Sequence, residues 1–186
     1  MKKPALLIID MINDGFEDWD NSSRKALTEN INLIACAFRA KRLPVIWVRQ
    51  EFEADLRDAF LEMRERNIKK YIKGTSGPEL LGELSVSPED HVIIKKRYSA
   101  FFNTPLDSLL AELRADLLML AGINTHACIR MTAIDAYQRD RRVILASDCI
   151  SSYNLDWHQS SIEYMKDRVA TLQTNDEIKS VLDSIT

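Results

Sequence analysis

Six short apolar runs, separated by helical patterns, constrain the fold of this chain more than any other feature. The runs lie at residues 5–9, 44–48, 92–94, 117–121, 143–146 and 169–172. The first is apolar at every position, as in parallel strands that are covered on both faces. Strands that alternate with helices form a mostly parallel sheet between two helical layers. The sequence therefore predicts an α/β fold with three layers, α/β/α.

Helical patterns fill the segments between these runs. We predict helices at residues 22–42, 51–67, 79–84, 104–114, 126–139, 156–166 and from 174 onward. Ser22 or Ser23 would cap the first helix, Thr104 the fourth, and Thr174 or Asn175 the last. The sequence contains no internal repeat and no linker, and its 186 residues suit one domain spanning 1–186.

Composition and charge argue against several classes of function. The net charge is −3 and the pI is about 5.7, which disfavours a nucleic-acid or anionic-membrane partner. No apolar run approaches the roughly 18–20 residues of a membrane span. The apolar run at 5–9 is too short for a signal peptide and ends in Asp10. The three cysteines cannot form a complete disulfide framework, so we expect reduced thiols and a cytoplasmic location.

Three side chains able to do chemistry follow apolar runs at their carboxyl ends. Asp10 follows the first run, Lys95 the third, and Cys128 lies at the start of the helix after the fourth. A helix N-terminus favours a thiolate, and its N–H groups could hold an oxyanion. Taken alone, each residue has a structural interpretation: a buried cysteine, a capping acid, and a solvated lysine beside Lys96 and Arg97.

Taken together, the three positions point to catalysis. The carboxyl ends of parallel strands meet at one edge of a sheet, so Asp10, Lys95 and Cys128 should lie close together. A nucleophile, a base and a cation in one place are typical of a hydrolase that forms a covalent intermediate.

Three stretches in this order and spacing resemble the isochorismatase-like cysteine hydrolases, a family that includes nicotinamidases and carbamoylsarcosine-type amidases. The first stretch is Ala-Leu-Leu-Ile-Ile-Asp-Met-Ile-Asn-Asp, ending at Asp14. The second is Lys-Lys-Arg-Tyr-Ser-Ala-Phe, beginning at Lys95 and followed by Thr104. The third is Gly-Ile-Asn-Thr-His-Ala-Cys-Ile, beginning at Gly122 and followed by Thr132. The resemblance covers nearly the whole chain.

The resemblance implies a six-stranded sheet of order 3-2-1-4-5-6, Rossmann-like, and a catalytic triad of Asp10, Lys95 and Cys128. It also implies a cis peptide bond before Asn124, which would direct the backbone amides of Asn124 and Cys128 at an oxyanion. Relatives are often homo-oligomers, so we expect a dimer or tetramer.

Two departures from the family narrow the chemistry. Isochorismatases proper lack the nucleophilic cysteine, so Cys128 argues against vinyl-ether hydrolysis. Nicotinamidases carry an Asp-x-His metal motif after the second strand, whereas this chain reads Val-Arg-Gln-Glu-Phe-Glu from Val48 and has no histidine before residue 91. The sequence therefore predicts no metal and no cofactor.

The remaining histidines and cysteines have structural interpretations. We expect surface or capping roles for His91, His126 and His158, because they are scattered and lack metal-ligand spacing. Cys36 should pack in a helix interface and Cys149 should be structural. A redox pair of Cys128 with Cys149 is a weaker alternative.

Residues that flank the strand ends are candidates for the substrate pocket. They are Phe16, Trp19, Arg49, Tyr98 and Trp157.

The leading hypothesis is a cysteine-dependent hydrolase of a small amide or carbamoyl-type C–N bond, acting on a small-molecule substrate through a thioester. The alternatives are a non-catalytic or regulatory relative that binds a small molecule, and a nicotinamidase-like or isochorismatase-like activity.

Overall fold

A six-stranded parallel sheet forms the centre of the computed structural model, which describes residues 3–184. The strands are β1 (Pro4–Ile9), β2 (Val45–Gln50), β3 (His91–Lys95), β4 (Leu117–Ile123), β5 (Arg142–Ser151) and β6 (Thr171–Gln173). Their order is β3-β2-β1-β4-β5-β6, and every neighbouring pair is parallel. The predicted α/β fold and strand order are confirmed. Residues 1, 2, 185 and 186 of the predicted domain lie outside the described range.

Helices cover both faces of this sheet. They are α1 (Asn21–Ala40), α2 (Leu61–Glu65), α3 (Leu106–Glu112), α4 (Arg130–Tyr137), α5 (Leu155–Met165) and α6 (Asn175–Asp183). A π-helical turn, Thr125–Ile129, connects β4 to α4, and a 3-10 turn, Asn13–Phe16, follows β1. Within the described part of the chain, no helix has the length and apolar character needed to cross a membrane.

Alternation along the strands divides the buried side chains between two cores. Leu6 and Ile8 of β1 pack with α1 and α6, whereas Leu7 and Ile9 pack on the opposite face with α3, α4 and α5. All four side chains are fully buried. Each contributes about 1.5–3 kcal/mol by leaving water, so both faces hold the sheet in place.

The segment between β2 and β3 differs most from the prediction. The helix predicted at 51–67 is wrong except for α2, because Phe52 instead pairs with the chain near Tyr71 through two backbone hydrogen bonds of 2.8 Å. Phe52, Leu56 and Met63 have helix-like spacing, but they pack with Ile72 in a separate small core. The periodicity therefore reflected a local cluster and not a helix.

Other boundaries also moved. No helix forms at 79–84, because Leu80 makes an antiparallel bridge with Ile12. Asp20, and not a serine, caps α1 by accepting a hydrogen bond from the Ser23 N–H. Thr174 caps α6, which is one of the two predicted alternatives.

Gly122 is required where β4 passes β1. Its φ is +107°, a conformation that side chains rarely adopt, and a Cβ built there would lie 2.0 Å from the Ile9 carbonyl oxygen. We expect Gly122→Ala to lower the free energy of unfolding by about 2–4 kcal/mol, measured by urea unfolding.

Gly82→Ala is the matched control, because nothing lies within 4 Å of a Cβ at that position. It should change the free energy of unfolding by less than about 1 kcal/mol. Equal losses in the two variants would contradict this account of Gly122.

Candidate active site

The carboxyl ends of three strands bring the predicted triad together. Asp10 follows β1 directly, Lys95 is the last residue of β3, and Cys128 lies in the π-helical turn after β4. The Lys95 Nζ lies 2.7 Å from Asp10 Oδ2 and 3.3 Å from Cys128 Sγ. The Lys95 ammonium group therefore contacts both a carboxylate and a thiol.

Gln50, the last residue of β2, completes this arrangement. Its side-chain Oε1 accepts a hydrogen bond of 3.0 Å from Lys95 Nζ, and its backbone N–H donates to Asp10 Oδ1 at 2.9 Å. An ammonium has three N–H donors, so Asp10, Gln50 and Cys128 provide one acceptor for each. The sequence analysis did not single out Gln50. Its position at the end of a strand could have identified it, by the same rule that located Asp10 and Lys95.

Burial favours a neutral thiol at Cys128. Burial and then the negative charge of Asp10 raise the pKa of Cys128 to about 12, although Lys95 opposes both. For Lys95, burial would lower the pKa, but Asp10 and the Cys128 sulfur outweigh it and raise the pKa. The expectation of an easily ionised thiol at the start of a helix is therefore wrong for the resting protein.

A cavity of about 460 Å³ lies beside these residues. Asp10, Gln50 and Cys128 contribute to its lining. Five further lining residues carry rings and come from loops and short elements outside the sheet: Phe60, Tyr71, Tyr98, His126 and Tyr153. The site combines a polar cluster with a ring-lined space large enough for a small molecule.

Of the five predicted pocket residues, Tyr98 alone lines this cavity. Phe16 is wrong, because its side chain packs in the core beneath α1, and Trp19 is wrong, because its ring lies 5.0 Å from that of Phe16. Both extend from the turn after β1 toward α1 and away from the cavity.

Arg49 and Trp157 are also outside the lining. The Arg49 guanidinium lies 3.0 Å from the Glu51 carboxylate and donates to the Pro78 carbonyl, so its charge is already paired. The Trp157 ring lies 5.0 Å from that of His126 and is half exposed, but it does not line the cavity.

The surface or capping role predicted for His126 is wrong, because this residue lines the cavity. Its Nδ1 lies 3.0 Å from Ser152 Oγ, and its ring lies edge-on to Tyr153 at 5.2 Å. Burial lowers the pKa of His126, which favours a neutral imidazole. Its position two residues before Cys128 is the sequence feature that could have placed His126 at the site.

The strand-to-helix turn that carries Cys128 begins with a cis peptide bond between Ile123 and Asn124. The Asn124 carbonyl accepts hydrogen bonds from the N–H groups of Ala127 and Ile129, at 3.0 and 3.2 Å. Asn124 and Cys128 both line the cavity. An oxyanion-binding role for their backbone amides stays a prediction.

The other cysteines lie apart from the site. Cys149 is buried within β5 in the core on the opposite face of the sheet, where its thiol donates to Asn175 Oδ1 at 3.1 Å. Its separation from Cys128 by the sheet argues against a redox pair. Cys36 is exposed on α1, so its predicted packing role is wrong.

No group of three or more histidine, cysteine, aspartate or glutamate residues in the described chain is arranged to hold a metal ion.

The raised pKa of Cys128 predicts a pH dependence of stability. Between about pH 9 and pH 12 the unfolded chain loses the thiol proton while the folded chain keeps it, so stability falls as the pH rises. We expect the difference in unfolding free energy between wild type and Cys128→Ala to decrease as the pH rises through this window.

Urea unfolding across this pH range measures the difference, with Cys36→Ala as the control because that thiol is exposed. A constant difference between wild type and Cys128→Ala would show that the folded thiol ionises like an exposed one.

Comparison with known proteins agrees with the fold and identifies the family. A family model described as an isochorismatase domain matches residues 4–177. A protein of Arabidopsis thaliana, named as a probable inactive nicotinamidase, is 34% identical over 174 residues and covers 89% of each chain.

Two solved structures have the same fold. An isochorismatase family protein from Desulfovibrio vulgaris has a TM-score of 0.90 at 28% identity, over 98% of this chain and 100% of that one. An N-carbamoylsarcosine amidase from Thermoplasma acidophilum has a TM-score of 0.81 at 28% identity, over 94% of this chain and 97% of that one. The chain therefore belongs to the isochorismatase family.

Proposed function

We propose that this protein is a cysteine-dependent amidohydrolase that cleaves a small amide or carbamoyl C–N bond through a thioester intermediate. The observation that carries the proposal is the contact of the Lys95 ammonium with both the Asp10 carboxylate and the Cys128 sulfur. The similarity to an N-carbamoylsarcosine amidase supports the same reaction class.

The first step is the transfer of a proton from Cys128 to Asp10. Because burial keeps the thiol neutral at rest, a base in contact with the cluster is needed to generate the nucleophile. Lys95 stabilises the thiolate that forms. The thiolate attacks the carbonyl carbon, a C–S bond forms, and the carbonyl electrons move onto oxygen.

The second step expels the amine. The backbone amides of Asn124 and Cys128 stabilise the negative oxygen. Asp10 returns its proton to the leaving nitrogen, the C–N bond breaks, and ammonia or an amine departs. A thioester to Cys128 remains.

Water completes the cycle. Asp10 accepts a proton from a water molecule, which attacks the thioester carbonyl and forms a C–O bond. The C–S bond breaks, the thiolate recovers a proton, and the acid product leaves. The fully paired Lys95 stays protonated throughout, because its pKa is raised.

A binding protein without catalysis is the second candidate, because the Arabidopsis relative at 34% identity is named as inactive. The raised pKa of Cys128 predicts slow alkylation at neutral pH under either function. Turnover therefore distinguishes the two candidates better than thiol reactivity does.

An ammonia-release screen of small amides, ureides and carbamoyl compounds tests the proposal. With any substrate found, we expect Cys128→Ala to lower kcat/KM by about 10⁴-fold or more, because the nucleophile is lost. Asp10→Asn keeps the shape of the side chain but removes the base, and should cost about 10²- to 10⁴-fold.

Cys149→Ala is the matched control, since this cysteine is buried on the other face of the sheet. It should keep activity within about threefold of wild type. Full activity in Cys128→Ala would exclude the thioester mechanism.

We also propose that the chain forms a homo-oligomer, either a dimer or a tetramer. Tyr153, Leu155 and Trp157 are close together in sequence and are each about half or more exposed, at 53%, 70% and 49%, which supports burial against another copy. Light scattering at micromolar concentration should give a multiple of the 21.4 kDa chain mass, and the mass of one chain would contradict it.

The cytoplasmic location also stays a prediction.

A further inference from the structure

The cavity beside Cys128 has no available positive charge. Among the described residues that line it, the carboxyl groups are those of Asp10 and Glu62, and none of the lining residues is a lysine or an arginine. The lining residues therefore offer no cation that could pair with a negative group on a bound molecule.

Lys95 cannot supply the missing cation. Its side chain is fully buried, and its three N–H donors already contact Asp10, Gln50 and Cys128. An anionic substrate group would have to displace one of these acceptors and would leave that group unpaired.

The other titratable side chains in the lining stay neutral at neutral pH. Burial lowers the pKa of His126, which opposes an imidazolium. Burial raises the pKa values of Tyr71 and Tyr98, so both keep their phenol protons. No cation develops in the lining when the pH is near 7.

A nearby guanidinium is also engaged. Arg97 lies over the Phe60 ring at 5.2 Å and donates to the carbonyls of Asp58 and Lys96, at 2.8 and 2.6 Å. The rings of Phe60 and Tyr98, whose centroids are 4.8 Å apart, line the cavity and instead offer apolar and π contacts. Such rings bind uncharged groups and attract cations.

We propose that the protein selects small amides whose remaining part is uncharged or cationic, and that it rejects amides carrying a carboxylate. The inference rests on the proposed amidase function for its turnover readout, although the charge preference belongs to the cavity itself. A carboxylate that enters this space would lose part of its hydration and gain no cationic partner, which weakens its binding.

Glu62 is the position at which this preference can be changed. It lies on α2, its side chain is 69% exposed, and it pairs with Arg66 at 2.6 Å on the solvent side. A substitution there alters the charge at the cavity without disturbing a core.

Three matched probes test the proposal: benzamide, 3-(aminomethyl)benzamide and 3-carboxybenzamide. We expect kcat/KM for ammonia release to agree within about tenfold for the first two and to be lower by about 100-fold or more for the carboxylate. Equal or better hydrolysis of 3-carboxybenzamide would overturn the inference.

Glu62→Lys should raise kcat/KM for 3-carboxybenzamide relative to benzamide by about fivefold at low salt, and added salt should reduce the gain. Glu65→Lys makes the same change in net charge on the same helix but lies outside the cavity lining, so its ratio should stay within about twofold of wild type. Equal gains in both variants would assign the effect to overall charge and contradict a role for the cavity.

Binding to Cys128→Ala protein separates this inference from the proposed function. Calorimetry should rank benzamide and 3-(aminomethyl)benzamide above 3-carboxybenzamide. That ranking without turnover of any amide by wild type would support the charge preference and contradict the amidase. Turnover by wild type together with binding of 3-carboxybenzamide as tight as that of the other two probes would support the amidase and contradict the charge preference. Failure of all three probes to bind would overturn the charge inference.

Discussion

The buried ammonium of Lys95 is the interaction on which the site depends. A charge removed from water costs several kcal/mol unless it is paired and hydrogen-bonded, and here three acceptors surround it. Those acceptors come from the ends of β1 and β2 and from the turn after β4, while Lys95 ends β3. The ammonium therefore fixes four chain segments relative to one another, and the sheet order places all four at one edge.

The same burial determines the state of the nucleophile. The partial positive charge at a helix start favours a thiolate, but it competes with the loss of water and with the nearby Asp10 carboxylate. Burial and Asp10 outweigh Lys95, so the pKa of Cys128 rises. Under the proposed mechanism the resting protein has a neutral Cys128 thiol beside its base, and the thiol ionises when a substrate is bound.

The residues proposed for catalysis lie at the sheet edge, whereas those proposed for substrate selection lie mainly in loops. The cluster of Asp10, Gln50, Lys95 and Cys128 lies on the sheet edge and its adjoining turn. The aromatic lining comes from the segment before α2, from the π-helical turn after β4 and from loops, including those after β3 and β5. Loops can change while the sheet edge stays constant, so one reaction centre can serve different substrates across a family.

The sequence by itself determined the sheet, its order through the family resemblance, and the meeting of Asp10, Lys95 and Cys128. The sheet and the meeting of the three residues follow from strand periodicity and from the rule that parallel strands share one carboxyl edge, whereas the strand order came from the resemblance alone. The tertiary structure alone decided that Gln50 joins the cluster, that His126 lines the cavity, and that Phe16, Trp19, Arg49 and Trp157 do not. Side-chain direction in loops depends on long-range packing, such as the pairing of Phe52 with the chain near Tyr71. The pKa of Cys128 likewise depends on burial and on neighbours distant in sequence, which no local pattern records.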